Sequence, residues 1–258
     1  MSKHRMRRLF GSDGRSVIVA MDHAAYYGPQ PGLEKPEKVL DAAMRAGVDA
    51  VLATYGVAAQ FGDRLGRLGL MLRADGGSTR LGNGGMRRMF GAEDALRVGA
   101  DAVVCMGLIG GPDEAASLDV LANLVGECRP WGLPVMAEML LQKPQDQPLM
   151  PQDIAFAARV GAELGADIIK TNYVGPADEY RQVIAQCYTP VVILGGEKIP
   201  DPRSMLQSVA EALRAGAAGV AIGRNVWQHP NPESMARALV AVVHGDASVS
   251  QAMKELGE

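Results

Sequence analysis

The sequence predicts an α/β protein built as a single (β/α)8 barrel, the TIM-barrel architecture, and three observations carry that expectation. One phrase recurs along the chain: an amphipathic segment, a glycine, then a short apolar run. The apolar runs are unbroken instead of alternating, as in parallel strands covered on both faces. Eight such runs fit into 258 residues, close to the roughly 250 residues that such a barrel occupies.

Four copies of the phrase are explicit. Ala46-Gly47-Val48-Asp49-Ala50 leads into 51–54, and Val98-Gly99-Ala100-Asp101-Ala102 leads into 103–106. Leu164-Gly165-Ala166-Asp167 leads into 168–171, and Ala215-Gly216-Ala217-Ala218-Gly219 leads into 220–223. Each first glycine stands where a helix end wants a left-handed residue. The runs 17–21, 69–73, 134–138 and 190–194 complete the strand set, with 69–73 the weakest of the eight. Helical patterns lie between, for example 34–46, 113–128, 151–164 and 203–215. The last puts Met205, Val209, Ala212 and Leu213 on one face. Pro151 suits a first helical turn, where its missing N–H costs nothing. No linker or charge block divides the chain, so 1–258 reads as one domain, with an N-terminal extension over 1–14 and a C-terminal helical region over 232–258. The glycine-rich stretch 74–91 is expected to be irregular and mobile.

Composition excludes several functions. No run approaches the ~20 apolar residues of a membrane span. A net charge of −3 offers no basic footprint for nucleic acid. The three cysteines form no CxxC pair, so neither a disulfide framework nor a zinc cage is indicated. Cys105, on a core strand, reads as a small buried hydrophobe and not as a nucleophile. Of the four histidines only His23 falls at a strand end, which leaves a catalytic metal without a ligand set. GxGxxG and GxxxxGK[ST] are absent. The basic opening, followed by Gly-Ser-Asp-Gly, is no signal peptide, and a reducing, cytoplasmic setting is expected.

In a barrel, chemistry gathers at the C-terminal ends of strands. Those ends supply Asp22 and His23, Thr54 and Tyr55, Glu138, Lys170, Gly195-Gly196-Glu197-Lys198, and Gly223-Arg224-Asn225. Lys170 at the mouth of a buried strand would be partly desolvated, which disfavours the ammonium and frees an amine to attack a carbonyl. It could equally be a lysine that only pairs with a rim carboxylate. Gly195, Gly196 and Gly223 open the backbone to an anion, and Arg224 adds a guanidinium, so a phosphate is expected there. The same glycines also suit simple tight turns. Asp22 and Glu138 are the carboxylates placed for proton transfer, or for holding Lys170.

These residues also resemble a family. Ala20-Met21-Asp22-His23 with Gly28-Pro29, the stretch Gly165-Ala166-Asp167-Ile168-Ile169-Lys170-Thr171-Asn172-Tyr173, and Gly219-Val220-Ala221-Ile222-Gly223-Arg224-Asn225 are similar to motifs of the Schiff-base (class I) aldolases. That group holds archaeal-type fructose-bisphosphate aldolases, deoxyribose-phosphate aldolase-like barrels, an aminodideoxyheptulosonate synthase and a coenzyme A-dependent thiolase of a phosphorylated pentanedione. The resemblance implies a lyase without metal or cofactor, with a Schiff base on Lys170 and Asp22 nearby. It also implies a phosphate at Gly196, Gly223 and Arg224, and a homo-oligomer, often a decamer. Several members carry an acid/base tyrosine just past the fifth strand, and Leu140 stands near where that tyrosine would fall. Glu138, similar to the glutamate of the tagatose-bisphosphate branch, is the expected substitute, with Tyr26, Tyr27, Tyr55 and Tyr173 as further candidates. The expected activity is therefore a class I aldolase, of the fructose-bisphosphate aldolase type, acting on a small phosphorylated carbonyl compound. A thiolase or a non-catalytic sugar-phosphate-binding barrel are the alternatives.

Overall fold

The computed structural model describes residues 4–82, 85–144 and 146–257; positions 1–3 of the expected N-terminal extension, 83 and 84 of the stretch 74–91, and 258 lie outside them. Eight parallel strands close a barrel in sequential order. They are β1 (Ser16–Ala20), β2 (Ala50–Ala53), β3 (Gly69–Arg73), β4 (Ala102–Ile109), β5 (Val135–Leu141), β6 (Ile168–Thr171), β7 (Val191–Leu194) and β8 (Gly219–Ile222). Each expected run lies within a residue or so of its strand, except that β4 and β5 extend three residues further. The seam closes where Ser16 pairs with Gly219 and Val19 with Ile222.

Period-two geometry explains why the strands carry no polar face. Val17 and Val19 point outward to the helices, while Ile18 and Ala20 point into the barrel. The interior is filled by Ala50, Leu52, Met71, Ala102, Val104, Met136, Ile168, Val192 and Ala221, and its lower end is plugged by fully buried Leu9. The N-terminal extension is thus part of the core. Ser16 Oγ donates to the Leu9 carbonyl at 2.5 Å, and Arg8 Nε lies 2.7 Å from Asp101 Oδ1.

The repeated phrase has a physical function at each position. Gly47, Gly99, Gly165 and Gly216 all have positive φ, from 71° to 104°, a region that costs a side chain strain and glycine almost none. The aspartate that follows three of them joins neighbouring strands. Asp49 accepts from Val17 N–H at 2.7 Å, Asp101 from Leu70 N–H at 3.1 Å, and Asp167 from Val135 N–H at 3.1 Å. Their own amides donate back to the carbonyls of those same residues.

The helices Pro36–Ala46, Glu114–Cys128, Pro151–Glu163 and Pro202–Ala215 lie where expected. Leu213 is only half-buried, and Leu206 takes its place in the core. Beyond β8, the helices Pro232–Val243 and Val249–Met253 pack their apolar faces on the outer layer. The stretch 74–91 departs from the expectation of an irregular loop. Asp75–Gly76 pairs antiparallel with Arg87–Arg88 in a two-residue ladder just beyond β3.

Candidate active site

The side chains at the mouth continue the inward series of the strands. Asp22 follows Ile18 and Ala20, Arg73 follows Met71, Glu138 follows Met136, and Lys170 follows Ile168. Strand register completes the arrangement, because Glu138 is the direct partner of Lys170 across β5 and β6. All four are buried, with relative exposures of 2–7%.

Lys170 Nζ lies 2.6 Å from Glu138 Oε1. The other oxygen, Oε2, accepts from Arg73 NH2. Arg73 Nε donates to Asp22 Oδ2 at 2.7 Å, and NH1 donates to Asp75 Oδ1 at 3.2 Å. Asp75 Oδ2 also accepts from Met106 N–H at 2.8 Å. Burial alone would raise the Glu138 carboxyl, yet the charges of Lys170 and Arg73 outweigh it and hold the group below the usual carboxylate range. Asp22 behaves likewise, its burial outweighed by Arg73, and lies far below that range. Asp75 goes the other way, because its desolvation is not fully offset by Arg73. Arg73 itself is desolvated, but its carboxylate partners push it well above the ordinary guanidinium value.

The sequence reading is sharpened here in two ways. Asp22 pairs with Arg73, and the direct partner of Lys170 is Glu138. Arg73 and Asp75 were missed. Arg73 ends the weakest strand run, and only the inward parity it shares with Met71 marks it.

A cavity of about 420 Å³ opens above these groups, lined by Asp22, His23, Arg73, Glu138, Lys170 and Arg224 among others. Ser78, Thr79 and Arg80 also line it, tied in place where Arg80 N–H donates to the Tyr26 carbonyl and Arg80 Nε to that of Tyr27. Three buried polar atoms have no partner among the described residues: His23 Nδ1, Gln142 Oε1 and Arg224 Nε. All three side chains face this one cavity. His23 Nδ1 stands 3.5 Å from Asp22 Oδ1, too far for a strong hydrogen bond.

The remaining expected residues divide. Gly195, Gly196 and Gly223 are not among the lining residues. Gly223 packs so tightly that a Cβ there would lie 2.6 Å from the Ala20 carbonyl oxygen and 3.0 Å from the His23 ring. Asn225 joins the two loops, donating to the Gly195 and Glu197 carbonyls at 2.9 and 3.0 Å and accepting from Ile199 N–H. Tyr26 and Tyr27 line the cavity, and Tyr26 donates its hydroxyl to the Asp75 carbonyl at 3.2 Å. Tyr55 instead stacks on Phe90, and Tyr173 bonds Glu211. Thr54 caps its helix by accepting from Val57 N–H. Cys105 is buried, as expected, with its thiol pushed up by desolvation.

Residues 16–229 match the DeoC/LacD family aldolase. The chain belongs to this family. It is 34% identical to an uncharacterized aldolase of Saccharolobus solfataricus, covering 99% of this chain and 98% of that one. It is also 34% identical to the 2-amino-3,7-dideoxy-D-threo-hept-6-ulosonate synthase of Halobacterium salinarum, over 98% of this chain and 95% of the other. Among solved structures, an archaeal fructose 1,6-bisphosphate aldolase superposes with a TM-score of 0.86 at 32% identity, covering 94% of this chain and 99% of its own. A second archaeal fructose-1,6-bisphosphate aldolase structure has its catalytic lysine covalently bound to the carbinolamine intermediate of the substrate, and matches with a TM-score of 0.86 at 31% identity, over 93% of this chain and 98% of its own. Among the described residues, no helix is long and apolar enough to cross a membrane.

Proposed function

We propose that this family member is a class I aldolase that forms a Schiff base between Lys170 and a phosphorylated keto compound. The observation that carries the reading is the buried Lys170–Glu138 contact of 2.6 Å at the floor of the cavity. A proton passed from Nζ to Oε1 along that contact leaves an amine that can attack the carbonyl carbon. A C–N bond forms as the C=O π bond breaks, and the attacking nitrogen passes one of its own protons to the oxygen, giving the hydroxyl of an uncharged carbinolamine. Glu138 then returns its proton to that hydroxyl, which departs as water as the iminium forms. The iminium withdraws electrons from the adjacent C–C bond. A carboxylate accepts the proton of the substrate hydroxyl, the bond breaks, and an aldehyde leaves an enamine on Lys170. Protonation of the enamine carbon and hydrolysis release the second product.

Arg224 supports the phosphorylated class of substrate. Its buried, unpaired Nε faces the cavity, and an anion would satisfy it. Asn225 holds the loop after β7 against the loop after β8 on which Arg224 stands. Fructose 1,6-bisphosphate is the narrower form of the reading, favoured by the likeness to the archaeal aldolase structures. Leu140, near where several members carry tyrosine, cannot move a proton, and Glu138, in contact with Lys170, is the group we assign to that role.

Borohydride trapping tests the reading. The protein is incubated with dihydroxyacetone phosphate, fructose 1,6-bisphosphate and other phosphorylated ketones, reduced, digested and mapped by mass. An adduct on Lys170 is expected, and it disappears in Lys170→Met. No adduct on Lys170 with any phosphorylated ketone rejects the Schiff base.

A further inference from the structure

The site holds more buried charge than one lysine and one base require. Three carboxylates and two cations are packed together, each no more than 7% exposed. A guanidinium has five N–H donors in a rigid fork, and Arg73 spends each of its three nitrogens on a different carboxylate. That leaves it poorly placed to grip a substrate anion. We infer that Arg73 is the positioning residue of this site, a fork that holds Asp22 and Glu138 apart and ionised together while aiming Glu138 Oε1 at Lys170.

This inference rests on the reading that Lys170 and Glu138 are the reacting pair. Two carboxylates buried side by side normally share one proton, because each charge disfavours the other. Such repulsion is present here, since the Asp22 charge pushes Glu138 upward. The groups that face the pair are His23 beside Asp22, Tyr26 from the following turn, Asp75 and Arg73 from the end of β3, and Lys170 from β6. Of these, Arg73 alone cannot give up its charge. When the Lys170 nitrogen becomes that of an uncharged carbinolamine, Arg73 is the one fixed positive charge left beside Glu138. It lets Glu138 give its proton back to the departing hydroxyl instead of keeping it. A lysine in its place could supply the charge but has no fork to reach three carboxylates.

The first measurement needs no substrate. Infrared titration of the free protein is compared for wild type, Arg73→Met and Arg73→Lys. Arg73→Met should gain a protonated-carboxyl band near neutral pH relative to wild type, and Glu138→Gln in the same protein should remove part of it. Arg73→Lys should show little of it. In turnover, Arg73→Met should move the acid limb of kcat/KM upward by about one pH unit or more. Arg73→Lys should keep the limb near wild type but lose about tenfold or more in kcat, with KM changing far less. A carboxyl titration in Arg73→Met that matches wild type overturns the inference, as does wild-type kcat in Arg73→Lys. If Arg73→Met does not fold, Arg73→Lys decides by the same kcat criterion. If the wild-type protein traps no ketone, the Schiff-base reading fails while the infrared result still judges the role of Arg73.

Discussion

Glu138 has two oxygens with two duties, one on Lys170 Nζ and one on Arg73 NH2. Glu138→Gln keeps the shape and removes the negative charge, so the fork and the ammonium lose their anion and the amine loses its proton acceptor. We expect kcat to fall about 10²- to 10⁴-fold, with slower but detectable borohydride adduct on Lys170, measured by single-turnover trapping. Unchanged kcat would transfer the acid–base role to another group, with cavity-lining Tyr26 the first to examine. At this scale the sequence was readable where a strand end carried a motif, as at Asp22, Glu138 and Lys170. It was silent at Arg73, because one arginine after Gly-Leu-Met-Leu looks like an ordinary surface residue. The pairing of Asp22 was also illegible. Spacing along the chain states which residues reach the mouth, but only barrel closure states which of them touch.

The αβ junction is the element that the sequence exposes most clearly. A glycine that must be left-handed and an aspartate that must bond the preceding strand are both local requirements, so they repeat in the text of the chain. Asp101 tests the account. Its Oδ2 takes the N–H of Leu70, which is 1% exposed, and its Oδ1 takes Arg8. Asp101→Ala leaves a buried donor unpaired and should cost about 1–3 kcal/mol, seen as a lower urea midpoint with unchanged slope. An unchanged midpoint would show that water or a shifted backbone satisfies Leu70. The short ladder at Asp75–Gly76 and Arg87–Arg88 had no comparable signature. Its second strand is exposed and charged, so nothing in hydrophobic period marks it.

Across the whole molecule, the two ends of the chain meet beneath the barrel through one histidine. His244, just past helix Pro232–Val243, places Nδ1 2.8 Å from Asp13 Oδ2 and Nε2 2.8 Å from Asp49 Oδ2. Asp49 also holds Val17 N–H at the start of β1. The bond to Asp49 raises the imidazole most, burial opposes it, Asp13 adds to it, and the net value is about 9 against an ordinary 6.5. Because the folded value is the higher one, the folded state binds the proton more tightly than the unfolded chain. The stabilisation is therefore complete below about pH 6.5 and disappears as pH rises through about 9. Allowing for solvent screening at this partly exposed site, it amounts to about 1–2 kcal/mol. Urea unfolding of wild type and His244→Gln should thus differ most at pH 6, and the gap should shrink toward pH 9.5. A gap independent of pH would mean that His244 acts there through neutral hydrogen bonds and packing alone. A gap that closes with rising pH would mean that the His244 imidazolium, donating Nδ1–H to Asp13 and Nε2–H to Asp49, helps to hold the N-terminal plug and the C-terminal helix against the same end of the barrel.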